Sequence, residues 1–184
     1  MGALALQEAA PMTYVALLHS IVLGAGRRLL MADLREMAQE LGFGDCRTLV
    51  ATGNLVFHAQ AAPVRDIEDR LERAFEKRFG KHVDILVRSA PDWLRLTAEN
   101  PFTDGHPPDV CVRVMREPLG SDILGFLEKY RRDEKITLVG GDLWIDFGGK
   151  PSESRLLSVL TTRRLGVGTT RNVNTVNGLA EMLR

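Results

Sequence analysis

Apolar positions along this 184-residue chain fall into short runs and stripes of two different periods. Residues 14–18, from Tyr14 to Leu18, are continuously apolar, the length of a strand covered on both faces. Met31, Leu34, Ala38 and Leu41 recur every three or four residues, the period of one helix face, and Gly42 closes that helix as a C-terminal cap. Residues 48–51 and 55–57 read as two strands around Thr52-Gly53-Asn54, where Gly and Asn tolerate the positive φ of a tight hairpin. Val64, Ile67, Leu71, Phe75 and Phe79 make the clearest helical stripe, with Asp66–Arg70 and Asp69–Arg73 expected as charge pairs four apart. Val83, Ile85 and Val87 then recur every second residue, as a strand requires.

The order so far is β-α-β-β-α-β, the ferredoxin-like unit. A connecting helix over 90–99 follows, opened by the cap sequence Ser89-Ala90-Pro91-Asp92 and closed by Asn100-Pro101. The pattern then restarts. Val110, Val112 and Val114 predict a strand, and Ile123, Leu127 and Tyr130 a helix. Residues 136–139 and 143–147 predict a hairpin around Gly140-Gly141-Asp142. Leu156, Leu157 and Leu160 begin a helix expected to end near Gly166, and Val176, Leu179, Ala180 and Leu183 mark a last one.

The matching hairpins imply an internal duplication. The expected fold is therefore α+β: two ferredoxin-like halves with antiparallel sheets and helices packed mainly on one face. Residues 1–12 read as a disordered extension, 13–89 as the first half, 90–108 as the connection and 109–184 as the second half with its C-terminal helix. Residues 165–167 are too short for a final strand, so the second sheet is expected to be smaller, or to borrow an edge from the first.

Composition narrows the function classes. Lys plus Arg is 24 and Asp plus Glu is 24, so no basic excess favours a general nucleic-acid binder. The basic-glycine-aromatic signature of RNA-binding sheets is absent as well. No apolar run reaches the ~20 residues of a membrane span. The first residues lack the basic segment of a signal peptide, so a cytoplasmic protein is expected. Cys46 and Cys111 read as small core residues. His19, His58, His82 and His106 have no metal-ligand spacing; no metal or cofactor is expected.

Two polar segments suggest chemistry. Gly24-Ala25-Gly26-Arg27-Arg28 lies between a predicted strand and helix, where backbone N–H groups and a helix N-terminus favour a phosphate or carboxylate. Its plainer reading is a solvated basic loop. Ser154-Arg155 and Thr169-Thr170-Arg171-Asn172 bracket the fifth predicted helix, and an Arg fork there suits a bidentate anion. The plainer reading is that Asn172 and the threonines cap the last helix while Arg171 faces water. His19 ends the first strand beside the glycine loop. Gly148-Gly149-Lys150-Pro151 is no phosphate loop, because Pro151 stands where a Ser or Thr would hold magnesium.

Several ordered blocks resemble one bacterial family. They include Tyr14-Val15-Ala16-Leu17-Leu18, Met31-Ala32-Asp33-Leu34-Arg35 and Thr52-Gly53-Asn54-Leu55-Val56-Phe57. They continue in Val87-Arg88-Ser89, Asn100-Pro101-Phe102, Ser154-Arg155-Leu156 and Thr170-Arg171-Asn172. From about Thr13 to Leu183 the chain resembles the domain of unknown function numbered 1697. The resemblance implies the duplicated α+β fold and no activity. It also implies an arginine and a glycine where this chain has His19-Ser20, and a lysine at Arg155. The function expected is a module binding a small anionic ligand through Gly24, Gly26, Arg27, Arg28, Ser154, Arg155, Arg171 and Asn172. The alternatives are a protein-interaction or self-association module, in which a homo-oligomer forms, and an enzyme of unrecognised chemistry.

Overall fold

In the computed structural model, which describes residues 10–184, the first apolar run becomes β1 (Pro11–Leu18). Pro11 and Met12 already pair with Gln60 and Ala59, so order begins within the expected extension; its first nine residues lie outside the described ones. β1 sits inside a four-stranded sheet with β4 (Gly44–Thr48), β5 (Asn54–Gln60) and β6 (Ile85–Ser89), in the order β4-β5-β1-β6. Every neighbouring pair is antiparallel.

Alternation along these strands sorts two cores. Tyr14, Ala16, Leu18, Phe57, Ile85 and Val87 face outward onto α1 (Met31–Glu40) and α2 (Val64–Phe79). The predicted α2 stripe of Ile67, Leu71 and Phe75 is fully buried there. Val15, Leu17, Val56 and Leu86 face the other way. The hairpin strand expected over 48–51 lies earlier, at Gly44–Thr48, and residues 49–53 form the turn. Gly53 is what this turn needs: its φ is +78°, and a Cβ would stand 2.8 Å from that of Leu18.

The second sheet is not the smaller one expected. It has four strands, ordered β10-β7-β9-β8: β7 (Val110–Met115), β8 (Lys135–Val139), β9 (Asp142–Asp146) and β10 (Gly168–Asn172). β10, Gly-Thr-Thr-Arg-Asn, has no apolar alternation to predict a strand. One of its inward positions holds Arg171. Gly140 and Gly141, at φ +59° and +86°, make the two-residue turn between β8 and β9.

The helix expected over 156–166 is also replaced. Two 3₁₀ turns, Pro151–Glu153 and Arg155–Ser158, precede a short α5 (Thr162–Leu165). Leu156 and Val159 sit three apart, which suits a 3₁₀ turn as well as an α-helix. With α4 (Asp122–Leu127), these segments cover Cys111, Leu143 and Ile145 on the outer face.

Between the sheets lies one shared core. Val15, Leu17, Val112, Val114 and Trp144 meet α3 (Ala90–Ala98) and α6 (Val173–Glu181) there. Trp93 Nε1 of α3 donates to the Val176 carbonyl of α6 at 3.2 Å. Helices therefore pack on both faces of the layered sheets, beyond the mainly one-sided packing expected. Each of these two helices begins where a strand ends. Ser89 accepts from the Asp92 N–H at 3.3 Å, and Asn172 Oδ1 from the Thr175 N–H at 3.0 Å. No helix among the described residues is long and apolar enough to cross a membrane.

Candidate functional site

The eight residues marked out by sequence fall in three places. Gly24 and Gly26 belong to a two-stranded ribbon, β2 (Val22–Gly24) and β3 (Arg27–Arg28), turned by Ala25 and Gly26 at positive φ. Arg27 and Arg28 project from this ribbon, exposed, and Leu29 and Leu30 separate it from α1. It is a hairpin and does not open the helix directly. Arg155 is exposed on its 3₁₀ turn, while Ser154 caps that turn and donates to Glu134. Burial alone would raise the Glu134 carboxyl, but the Ser154 hydroxyl and the Arg132 N–H hold it below its ordinary value.

Arg171 is 8% exposed, and its guanidinium is fully engaged. It donates to Asn54 Oδ1 at 2.6 Å, the Leu18 carbonyl at 2.8 Å and the Thr52 carbonyl at 3.3 Å, all in the first sheet's neighbourhood. Within its own strand it donates to Thr169 Oγ1 at 2.8 Å and the Thr170 carbonyl at 3.0 Å. Burial without a carboxylate pulls its pKa down to about 10. Asn172 caps α6. Asn172 thus serves the fold as the plainer reading has it, whereas Arg171, expected on that reading to face water, is buried and ties β10 to the first sheet.

A second arginine answers the first from the opposite sheet. Arg88, on β6, donates to the Met115 carbonyl at 2.6 Å and to Asp142 Oδ1 at 3.0 Å. Burial raises the Asp142 carboxyl, and the Arg88 charge and the Met115 N–H offset this in part. The residues just past β1 and β7 repeat the pattern. His19 Nδ1 lies 3.0 Å from the Gly168 carbonyl, and Arg116 donates to the Ile85 carbonyl at 3.2 Å. Arg116 also pairs with Glu68 at 3.0 Å and with Glu72. These two buried glutamates accept the Val87 and Ile85 N–H groups at 2.9 and 3.0 Å, closing the β6 edge. Beside them Arg65, Glu68, Arg88, Asp92 and Arg116 line a cavity of about 320 Å³, where Arg88 pairs with Asp142 and Arg116 with Glu68 from one sheet region to the other, Arg65 with Glu68 within α2 and Asp92 with Arg95 within α3.

The residues left open lie elsewhere. Between α1 and α2 runs an open groove of about 540 Å³. Met37, Leu41 and Ala74 make its apolar floor, and Arg70, Arg73, Lys77 and Arg78 its rim. Glu40 is the one acidic residue lining it. Arg70 donates to the Leu41 carbonyl at 2.9 Å and stacks 4.8 Å from the Phe43 ring centroid. Arg78 pairs with Glu40 at 2.9 Å and with Glu36. The side chains of Arg73 and Lys77 form no ion pair or hydrogen bond among the described residues. The two expected pairs on α2, Asp66–Arg70 and Asp69–Arg73, do not form; Asp69 pairs with Arg65 at 2.7 Å instead. Helix α2 is sorted by charge: Glu68 and Glu72 face β6 and Arg116, while its cations at 70, 73, 77 and 78 line the groove. That spacing of three and four residues is legible in the sequence. It passes for an ordinary wet face until α1 is laid beside it.

Among the described residues, two four-stranded antiparallel sheets, a two-stranded ribbon and six α-helices define a mixed α/β protein with an open, cation-rimmed groove between two of its helices. A family model described as a protein of unknown function, DUF1697, matches residues 12–144, and the chain belongs to this family. Among solved structures it is similar to the conserved bacterial protein SP0830 from Streptococcus pneumoniae. The TM-score is 0.74 over 95% of this chain and 100% of that one, at 21% identity, a likeness of fold alone. No curated protein matches the chain.

Proposed function

We propose that the protein binds a small amphipathic anion, a carboxylate or phosphate head on an apolar body, in the groove between α1 and α2. One observation carries the reading: Arg73 and Lys77 stand without acidic partners above the apolar floor of Met37, Leu41 and Ala74. An apolar-lined cleft of several hundred Å³ with a few convergent polar groups is the usual form of a small-molecule site. The glycine–arginine ribbon and Arg155 remain exposed cations outside this groove. Thermal unfolding with decanoate, decyltrimethylammonium and inorganic phosphate tests the reading. Decanoate raises the melting temperature of the wild type, and a saturating ligand at ~100 times its dissociation constant adds about 2.7 kcal/mol. Decyltrimethylammonium does not, and Arg73→Gln with Lys77→Gln abolishes the decanoate shift. Equal shifts in wild type and double variant overturn the proposal.

The duplicated ferredoxin-like arrangement belongs to the same reading. Its support is the shared strand order, fourth-first-third-second in each sheet, and the matching places of Arg88 and Arg171. Arg88 stands opposite Val15 and Arg171 opposite Val112, each one residue before a helix cap. A cytoplasmic setting is supported by two buried, unpaired thiols, Cys46 and Cys111.

A further inference from the structure

Each four-stranded sheet has two edges, and three of the four edges are closed by named features. On β6 the glutamates of α2 take the Ile85 and Val87 N–H groups. On β10, His19 meets the Gly168 carbonyl and Arg171 the Thr170 carbonyl. β4 is bulged between Gly44 and Arg47, with Asp45 at φ +44°, and Arg47 reaches across to the Met182 carbonyl. Bulges and inserted charges are how sheet edges avoid pairing.

β8 has no bulge and no side chain bonded to its outward groups among the described residues, and its one charge, Lys135, stands at its first residue. Its five residues, Lys-Ile-Thr-Leu-Val, pair with β9 in unbroken register. The two-residue turn makes Val139 and Asp142 a hydrogen-bonded pair, so residues 135, 137 and 139 bond to β9. The N–H and C=O groups of Ile136 and Leu138 therefore point out of the sheet. Among the described residues no hydrogen bond reaches them.

We propose that β8 pairs antiparallel with β8 of a second copy, joining two four-stranded sheets into one of eight strands. A two-fold axis at Thr137 sets Ile136 opposite Leu138 of the partner copy and Leu138 opposite its Ile136. All four outward N–H groups of the pair then meet outward carbonyls, and the strand is complementary to itself. Charge favours a copy as the occupant. Residues 136–139 carry no charge, Lys135 falls opposite the uncharged Val139 of the other copy, and the chain's net charge is zero. Like charges therefore do not meet across the axis. On the helix-covered face, Ile136 and Leu138 extend the outer core that they already border.

Sedimentation equilibrium of the full chain, with hydrogen exchange at single-residue resolution, tests this. Wild type sediments as a dimer, and the Ile136 and Leu138 amides are protected. Ile136→Pro removes only the outward N–H, because edge positions with solvent-facing N–H groups accept proline. Thr137→Lys sets two ammonium groups together on the axis. Each variant weakens dimerisation about tenfold or more, while near-native circular dichroism shows that the monomer stays folded. If the proline variant fails to fold, the lysine variant decides. A monomeric wild type with fast exchange at 136 and 138, or a folded lysine variant that stays fully dimeric, overturns the proposal.

Discussion

Replacing Arg171 by methionine tests what joins the two sheets. The substitution keeps most of the side chain's volume and removes every donor. Asn54 Oδ1 and the Leu18 and Thr52 carbonyls then lose their partner from β10. Leaving a buried acceptor unsatisfied costs about 1–3 kcal/mol. Some of that is recovered, because Arg171 is itself a buried cation without a carboxylate, and removing it ends a desolvation cost. The Leu18 and Thr52 carbonyls also keep a second lone pair, which limits the loss. A net destabilisation of about 3–4 kcal/mol follows from these opposing effects. For a domain of this size that corresponds to a melting temperature roughly 6–16 °C lower. Urea unfolding at pH 7, compared with thermal melting, measures it, and an unchanged m-value assigns the loss to the folded state. The loss has no pH dependence near neutrality. The folded-state pKa of about 10 lies below the ordinary arginine value, so both states stay protonated until the pH rises past 10. A loss below about 1 kcal/mol refutes the reasoning, because two buried acceptors, Asn54 Oδ1 and the Leu18 carbonyl, would then be indifferent to their donor.

Asp142→Asn is expected to cost less than about 1 kcal/mol, since Asn54 shows that an amide oxygen serves the same kind of arginine on the other side. Chemical denaturation checks this, and a loss as large as that of Arg171→Met contradicts it. Cys111, pushed up to about 11 by burial, and Cys46, raised by burial and by Asp45, are expected to react with a disulfide reagent at pH 8 only through opening of the fold. At that pH about one Cys111 in a thousand is thiolate. The same shifts lower stability as the pH rises from about 9 toward 11, because thiols whose pKa is raised in the folded state favour folding only below that window. Labelling as fast as that of the urea-unfolded chain contradicts both statements.

Much of the fold was written in local periods. The stripe of Ile67, Leu71 and Phe75, the run of residues 14–18 and the Gly140-Gly141 turn dictate their elements, because a helix face, a doubly covered strand and a positive-φ turn each admit few residue types. Ser89 likewise announces α3. β10 is not legible because it lacks apolar alternation and fills an inward position with Arg171, whose acceptors on the first sheet lie more than a hundred residues away in the chain. The segment 156–166 carried a helical spacing that 3₁₀ turns satisfy equally well. Of the eight residues marked as an anion site, Arg171 and Asn172 serve the fold, and the groove cation Arg73 carries in the sequence only the expectation of a pair with Asp69. Sequence alone determines which residues are charged and which face of a helix they share. Only tertiary packing decides whether such a face meets water, a carbonyl or an apolar floor, since solvation and pairing depend on groups that the chain brings together from afar.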